Sequence, residues 1–323
     1  MYIVTGGAGF IGSAMIWQLN EMGIDNIIVV DNLASTDKWK NLSKRRYVDY
    51  LHRDAFLNQL RRGDMPWRLD AIIHLGACSS TTERNADFLM ENNFHYTRDL
   101  CRYALNNGIR FITASSAATY GDGSQGFSDD PAGIPALRPL NMYGYSKQLF
   151  DMWLLRKKAH EAVASLKFFN VYGPNEYHKG DMKSVICKAR EAIRAEGVMR
   201  LFASDTPDYA DGGQLRDFVY VKDCVKLMAW LLEHPEAGGI HNVGTGRART
   251  WNDLAHAVFD ALNLPPRIEY IPMPEQLRGR YQRFTQADMR WLETVRYPYP
   301  LTELEDGVRE YVCDYLEQAD PYL

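Results

Sequence analysis

The run Gly6-Gly7-Ala8-Gly9-Phe10-Ile11-Gly12 constrains the fold most, because it follows the strand-like Tyr2 to Thr5 and opens a helical pattern from Ile11 to Met22. A strand that turns directly into a helix over glycines presents bare backbone amides at the helix N-terminus, the setting of a phosphate-cradling turn. Gly6 and Gly7 permit the tight turn, Gly9 lets amides approach a pyrophosphate, and Gly12 allows the helix to pack closely on the strand. The rhythm continues with Ile27 to Asp31, Ala71 to Leu75 and a helix reaching about Asn107, Phe111 to Ser115, Tyr143 to about Arg156, and Leu166 to Asn170. Strand runs with little internal polar alternation, joined by helices, predict a parallel sheet covered on both faces.

The expected fold class is therefore α/β, a doubly wound parallel sheet of the Rossmann kind. After Asn170 the rhythm breaks at Pro174 and Gly180, a helix runs about Met182 to Glu196, and Ser204 to Gln214 is acidic and Gly-rich. Phe218 to Val221 and Ile240 to Val243 read as strands returning to the first sheet. This predicts a second, smaller, discontinuous α/β substrate lobe packed over the carboxyl ends of the strands, where open sheets bind ligands. The expected division is residues 1–172 and 217–248 for the dinucleotide domain, and 173–216 and 249–323 for the substrate domain.

Composition narrows the partners. A chain of 323 residues that is 46% hydrophobic can bury a full core. Its net charge of −4 gives no electrostatic footprint for nucleic acid or an acidic membrane, so a small anionic ligand fits better. The five cysteines, Cys78, Cys101, Cys187, Cys224 and Cys313, contain no Cys-x-x-Cys and read as reduced packing residues, with no metal site expected. No leader or bilayer-length apolar run precedes or interrupts the strands, which makes the cytosol the expected compartment.

Three features carry chemistry. Asp31 ends the second strand 19 residues past Gly12, near the spacing of a ribose-binding acid. Such an acid favours NAD, whereas Lys38, Arg53 and Asn32 could meet a 2′-phosphate, so the residues leave both dinucleotides open. In Ala114-Ser115-Ser116-Ala117-Ala118, a hydroxyl at the strand end points into the cleft, and Ser116 could hydrogen-bond a reacting oxygen. Finally, Tyr143 and Lys147 are four residues apart, which on a helix places a phenol and an ammonium on one face. A nearby cation favours the phenolate, so this tyrosine could trade a proton with an alcohol.

Gly-x-x-Gly-x-x-Gly, the Ser-Ser-Ala strand end, Tyr-x-x-x-Lys, Asn170-Val171-Tyr172-Gly173-Pro174 and Arg216-Asp217-Phe218-Val219-Tyr220-Val221 together resemble the extended short-chain dehydrogenase/reductases acting on nucleotide sugars. Within that family, His74 to Thr82, His178-Lys179-Gly180, and Gly279-Arg280-Tyr281-Gln282 with Phe284 to Asp288 are similar to the ADP-L-glycero-D-manno-heptose 6-epimerases. The resemblance implies inversion at carbon 6 of an ADP-heptose for the lipopolysaccharide inner core, with a bound NADP regenerated each turnover. It implies Tyr143 as proton-transfer group, Lys179 as a second one, and Lys147 as the residue that binds the nicotinamide ribose and lowers the Tyr143 pKa.

By the same resemblance Gly6, Gly9, Phe10, Ile11, Gly12, Asp31, Asn32, Lys38 and Arg53 would line the cofactor. So would Leu75, Gly76, Ala77, Cys78, Ser79, Asn92 and Val171. Asn170, Asp181, Lys188, Phe202, Ala203, Ser204, Asp205, Arg216 and Tyr281 would meet the ADP-sugar, with an Arg216–Asp217 ion pair as the competing reading for the arginine. A homo-oligomer, with pentamers known in the family, is implied as well. The chain departs from the pattern at Leu75, where an acid is often seen, at Asp181 in place of a small hydroxyl residue, and at Asp205 to Gln214, which reads as an insertion. A 4-epimerase of another nucleotide sugar and a non-catalytic dinucleotide sensor are the alternatives. A 4,6-dehydratase is disfavoured because Ala117 and Ala118 stand where it needs acids.

Overall fold

The computed structural model describes residues 1–275 and 281–323. Strands β1 (Tyr2–Thr5), β2 (Ile27–Asp31), β3 (Asp49–His52), β4 (Ala71–His74), β5 (Arg110–Ser116) and β6 (Val163–Phe168) run parallel in one sheet. Outside it lie β7 (Asn170–Tyr172), β8 (Met199–Phe202) and β9 (Leu215–Tyr220), and β10 (Gly239–Val243) then closes the edge beside β6. The spatial order is β10-β6-β5-β4-β1-β2-β3. Progress from β1 goes first toward β3 and then, from β4 onward, the other way, so the switch point lies between β1 and β4. Ligands of such sheets bind in the crevice at that point.

Fully buried runs such as Ile27 to Asp31 and Val163 to Phe168 are covered on both faces, as their mostly apolar sequence requires, with Ser165 and Lys167 buried among them. The helices Phe10–Glu21 and Val221–Glu233 pack on one face. Phe56, Leu60, Leu100, Phe150 and Leu154 from three helices fill the other. All five cysteines are free. None of the described helices is long and apolar enough to cross a membrane.

Two elements depart from expectation. The edge strand β3 is half-polar Asp-Tyr-Leu-His, with no apolar run to announce it, and it exists through pairing of Ile28 to Asp31 with Asp49 to His52. The stretch around Phe218 does not return to the first sheet. Phe169 N–H donates to the Val243 carbonyl, β10 occupies the place beside β6, and β9 pairs instead with β7 and antiparallel β11 (Ala248–Thr250). A last pair joins β8 to β12 (Ile268–Ile271).

Candidate active site

A cleft of about 750 Å³ opens at the carboxyl ends of β1, β2, β4 and β5 and continues to β7. Its floor is the glycine loop. Gly6 has φ +65°, and a Cβ there would sit 2.6 Å from the Gly76 nitrogen, so the loops after β1 and β4 touch backbone to backbone. A Cβ on Gly12 would lie 2.0 Å from the Gly6 carbonyl oxygen. The helix Phe10–Glu21 that follows has no capping side chain and no acid in its first turn, unlike the helices capped by Asn141, Ser184 and Thr250. Its first amides are thus left for an anion, which a helix N-terminus favours.

Asp31 is buried and its carboxylate accepts from Ala8 N at 2.9 Å, Asn32 N at 2.6 Å and Lys38 Nζ at 2.8 Å. Lys38 thus neutralises the acid beside the cleft wall. Arg53 donates to Asn92 Oδ1 on the same wall. Leu75 to Ser79 also line the cleft, held by Asn93, a fully buried residue that sequence reasoning missed. Its amide exchanges hydrogen bonds with the Cys78 backbone at 2.9 Å each way and donates to Ser146 Oγ at 3.1 Å. It sits in a π-helical turn, Met90–His95, and nothing in its sequence context distinguishes it from a helical surface asparagine.

The helix Met142–Lys157 presents the phenol and ammonium. Asn141 Oδ1 caps it through Gly144 N at 2.8 Å, and Gly144 presses so closely on the end of β5 that a Cβ would lie 2.6 Å from the Ala118 carbonyl oxygen. That approach sets the Tyr143 phenol beside Ser116, and both line the cleft. Burial pushes the phenol above its ordinary pKa, opposed by the Ser116 hydroxyl. Lys147 is buried, donates to the Ala114 carbonyl at 2.8 Å, and is pushed down to about 8 by burial, with Asp151 opposing. Desolvation is the largest influence on both groups, and Lys147 turns its ammonium to a carbonyl.

Lys179 reaches the cleft from the segment Tyr177–Met182, its ammonium 5.2 Å from the Phe10 ring centroid, and burial lowers its pKa against the pull of Glu176. Glu176 is buried and anchors this segment, accepting from Ser184 Oγ at 2.6 Å and Tyr311 Oη at 2.9 Å. His178 lines the same wall and is held neutral near pH 7, burial lowering it to about 4.

Asn170 and Val171 line the cleft, whereas Asp181, Lys188, Phe202, Ala203, Ser204, Asp205, Arg216 and Tyr281 stand behind or beside its wall. Lys188 donates to the Asp181 carbonyl on the exposed rim. Ser204 and Asp205 are turned into the polar 204–211 loop, with Ser204 N on Asp211 and Asp205 on Arg283 at 2.8 Å. Ala203 N joins Ile271. Arg216, Tyr281 and Phe202 gather around Trp251, which does line the cleft. The Arg216 guanidinium lies 5.6 Å from the Trp251 ring and 4.8 Å from that of Tyr281, and the indole N–H donates to Tyr281 Oη at 2.8 Å. The Arg216–Asp217 ion pair does not form: Asp217 accepts instead from Thr245, Gly246 and Ala287. Trp251 was invisible to sequence reasoning because an aromatic at the start of an amphipathic helix reads as core. Gly279 and Arg280 lie outside the described residues.

The family model for the NAD dependent epimerase/dehydratase family matches residues 2–244. An ADP-L-glycero-D-manno-heptose-6-epimerase from Nitratidesulfovibrio vulgaris strain DP4 is 67% identical over 323 residues, covering 100% of both chains. Among solved structures, the ADP-L-glycero-D-manno-heptose-6-epimerase of Helicobacter pylori superposes with a TM-score of 0.80 at 27% identity, covering 96% of this chain and 94% of that one. A UDP-glucose 4-epimerase from Thermus thermophilus, in complex with NAD, superposes at 0.75 and 26% identity over 96% and 97%. A family match running through every strand that builds the cleft, joined to identity at that level over the whole length, makes this chain an enzyme of the NAD dependent epimerase/dehydratase family, in the group of its ADP-L-glycero-D-manno-heptose-6-epimerases.

Proposed function

We propose that the protein converts ADP-D-glycero-D-manno-heptose to ADP-L-glycero-D-manno-heptose by transient oxidation at carbon 6, serving lipopolysaccharide inner-core synthesis in the cytoplasm. What carries the reading is the placement of the Tyr143 phenol beside Ser116, backed by buried Lys147, in a cleft whose floor is an uncapped helix N-terminus. The substrate assignment rests on the 67% identity to a named heptose epimerase. The cofactor is a nicotinamide dinucleotide, as family membership requires, and the missing Cβ of Gly9 at the mouth of the helix leaves the first amides open to its pyrophosphate. When bound, it supplies reversible hydride transfer.

This chain's residues do the rest. Tyr143 accepts the carbon 6 hydroxyl proton as the alcohol becomes a ketone, and Ser116 holds that oxygen beside it. A cation in the cleft would offset the burial that raises Tyr143, as would any positive charge within a few ångströms. Once the ketone has turned over in the pocket, its oxygen faces away from Tyr143, and Lys179, an amine already lowered by burial, is placed to return a proton. Lys147 and Val171 hold the nicotinamide end. NADP is preferred over NAD because Lys38 cancels the charge of Asp31 and Arg53 lines the same wall, which accommodates a 2′-phosphate. Asn170, Asp181, Lys188 and the 202–205 stretch contact the ADP-sugar, with Arg216 and Tyr281 at its diphosphate. The protein works as a homo-oligomer, and its two domains divide at residues 172/173, 216/217 and 248/249.

Incubation with ADP-D-glycero-D-manno-heptose and no added cofactor, followed by chromatography that separates the two carbon 6 epimers, tests this directly. An unchanged sugar, with a nicotinamide dinucleotide confirmed in the protein, would refute it. Turnover of UDP-glucose in place of the heptose would favour the 4-epimerase reading suggested by the Thermus thermophilus structure.

A further inference from the structure

Beneath the Tyr143–Ser116 pair lies a polar cluster that the reaction does not use. Tyr143, Lys147 and Asp151 follow one another at four-residue spacing along one face of the helix Met142–Lys157. Asp151 and Lys167 of β6 are both fully buried and pair at 2.7 Å. Asp151 also accepts from Ser115 Oγ and from Ser165 Oγ, each at 2.8 Å. Lys167 goes on to donate to Thr119 Oγ1 at 2.7 Å, and the Thr119 hydroxyl donates to the Ser116 carbonyl at 2.8 Å. Each polar side chain in the cluster has at least one partner, and the cluster links the helix that carries Tyr143 to the strand end that carries Ser116 by two routes, one through Ser115 and one through Thr119.

Stability alone does not explain such a pair. Burying two charges costs about as much as their attraction returns, and an apolar pair of the same volume is commonly as stable. What an apolar pair lacks is direction: each hydrogen bond here fixes an angle as well as a distance. Misplacement of a reacting group by about 1 Å can cost about a hundredfold in rate, so angular control at Ser116 has a purpose.

We propose that Asp151, Lys167 and Thr119 are positioning residues that hold Ser116 in register with Tyr143, making the helix and the strand end one rigid unit. The inference rests on the reading of Tyr143 and Ser116 as the proton-transfer pair. The test uses the protein with its dinucleotide bound. Thr119→Val removes the hydroxyl link while leaving the Asp151–Lys167 pair intact, and Thr119→Ser restores the link. Two readouts are taken, the alkaline absorbance titration of the Tyr143 phenol, as the difference from the same background carrying Tyr143→Phe, and kcat and KM for epimerisation.

In Thr119→Val the Tyr143 midpoint moves upward by about half a pH unit or more as Ser116 shifts away from the phenol, and kcat falls about tenfold with KM within about twofold. Thr119→Ser returns both to wild-type values. An unmoved midpoint in Thr119→Val overturns the proposal whatever the sugar does, and so does an unchanged kcat in an enzyme that epimerises. A moved midpoint in a protein that leaves the heptose untouched retains the positioning role and removes the epimerase reading instead. If Thr119→Val does not fold, the charge-neutral pair Asp151→Asn with Lys167→Met carries the same expectations.

Discussion

Gly9→Ala separates a phosphate cradle from an ordinary packing glycine. Gly9 has φ −74° and ψ −178°, a conformation open to any residue. Its missing Cβ would meet only the Gly6 carbonyl, with the oxygen at 3.0 Å and the carbon at 4.0 Å. The folded state therefore bears a small contact penalty, and the stiffer unfolded chain offsets about 0.4–1 kcal/mol of it, so the melting temperature should stay within about 2 °C of wild type. The ligand bears the consequence. A methyl group at the mouth of the helix blocks close approach of a phosphate to the free amides, and loss of one charge-assisted bond of about 1.5–3 kcal/mol weakens dinucleotide binding about 10- to 100-fold.

Gly12→Ala is the contrasting case. Its Cβ would be 2.0 Å from the Gly6 oxygen, so loop or helix must shift by about 1 Å, with an overpacking cost of about 1–3 kcal/mol. That variant should lose both stability and dinucleotide. The assay is dinucleotide content after purification, Kd from the fluorescence of the added reduced dinucleotide, and a thermal melt of each protein. Full retention of dinucleotide by Gly9→Ala would refute the cradle, and a large loss of stability in that variant would show that packing explains the glycine.

Tyr143→Phe should reduce epimerisation by about 10²- to 10⁴-fold with dinucleotide content unchanged, and a loss smaller than tenfold by the chromatographic assay would remove Tyr143 from proton transfer. Arg216→Met should raise KM for the ADP-sugar about 10-fold or more while kcat changes less, since the guanidinium, packed between two rings, binds rather than reacts; a pure kcat effect contradicts its placement. Asp129 is pushed up to about 6 by burial, above its unfolded value of 3.8. Its charged form is thus penalised on folding, and its contribution to stability declines as pH rises from about 4 to 6, by at most about 3 kcal/mol. Asp129→Asn keeps an acceptor for Asn242 N, so it should resist urea better than wild type at pH 7 and lose that advantage at pH 4; equal midpoints at both values would contradict the shift.

Local chemistry was enough to read the glycine turn, the parallel strands β1, β2, β4 and β5, and the Tyr143–Lys147 face, whereas the run Leu166 to Asn170 caught only the end of β6 and ran on into β7. The Lys38–Asp31 pair appears only in the structure, because the sequence offers the two as separate candidates for the ribose and a 2′-phosphate. What depended on distant segments was hidden. The half-polar β3 forms only because β2 offers an open edge, and β9 leaves the central sheet only because β10 reaches β6 first. Asn93 and Trp251 matter through partners 15 to 53 and 30 residues away, respectively, and those contacts follow no sequence period.

The sign of the proton balance was decided in the same way. Spacing alone determined that a phenol and an ammonium would share a helix face, and that a dinucleotide turn would precede them. The surrounding fold desolvates both, which raises the phenol and lowers the amine. Desolvation depends on everything within several ångströms in space, so no reading along the chain contains it.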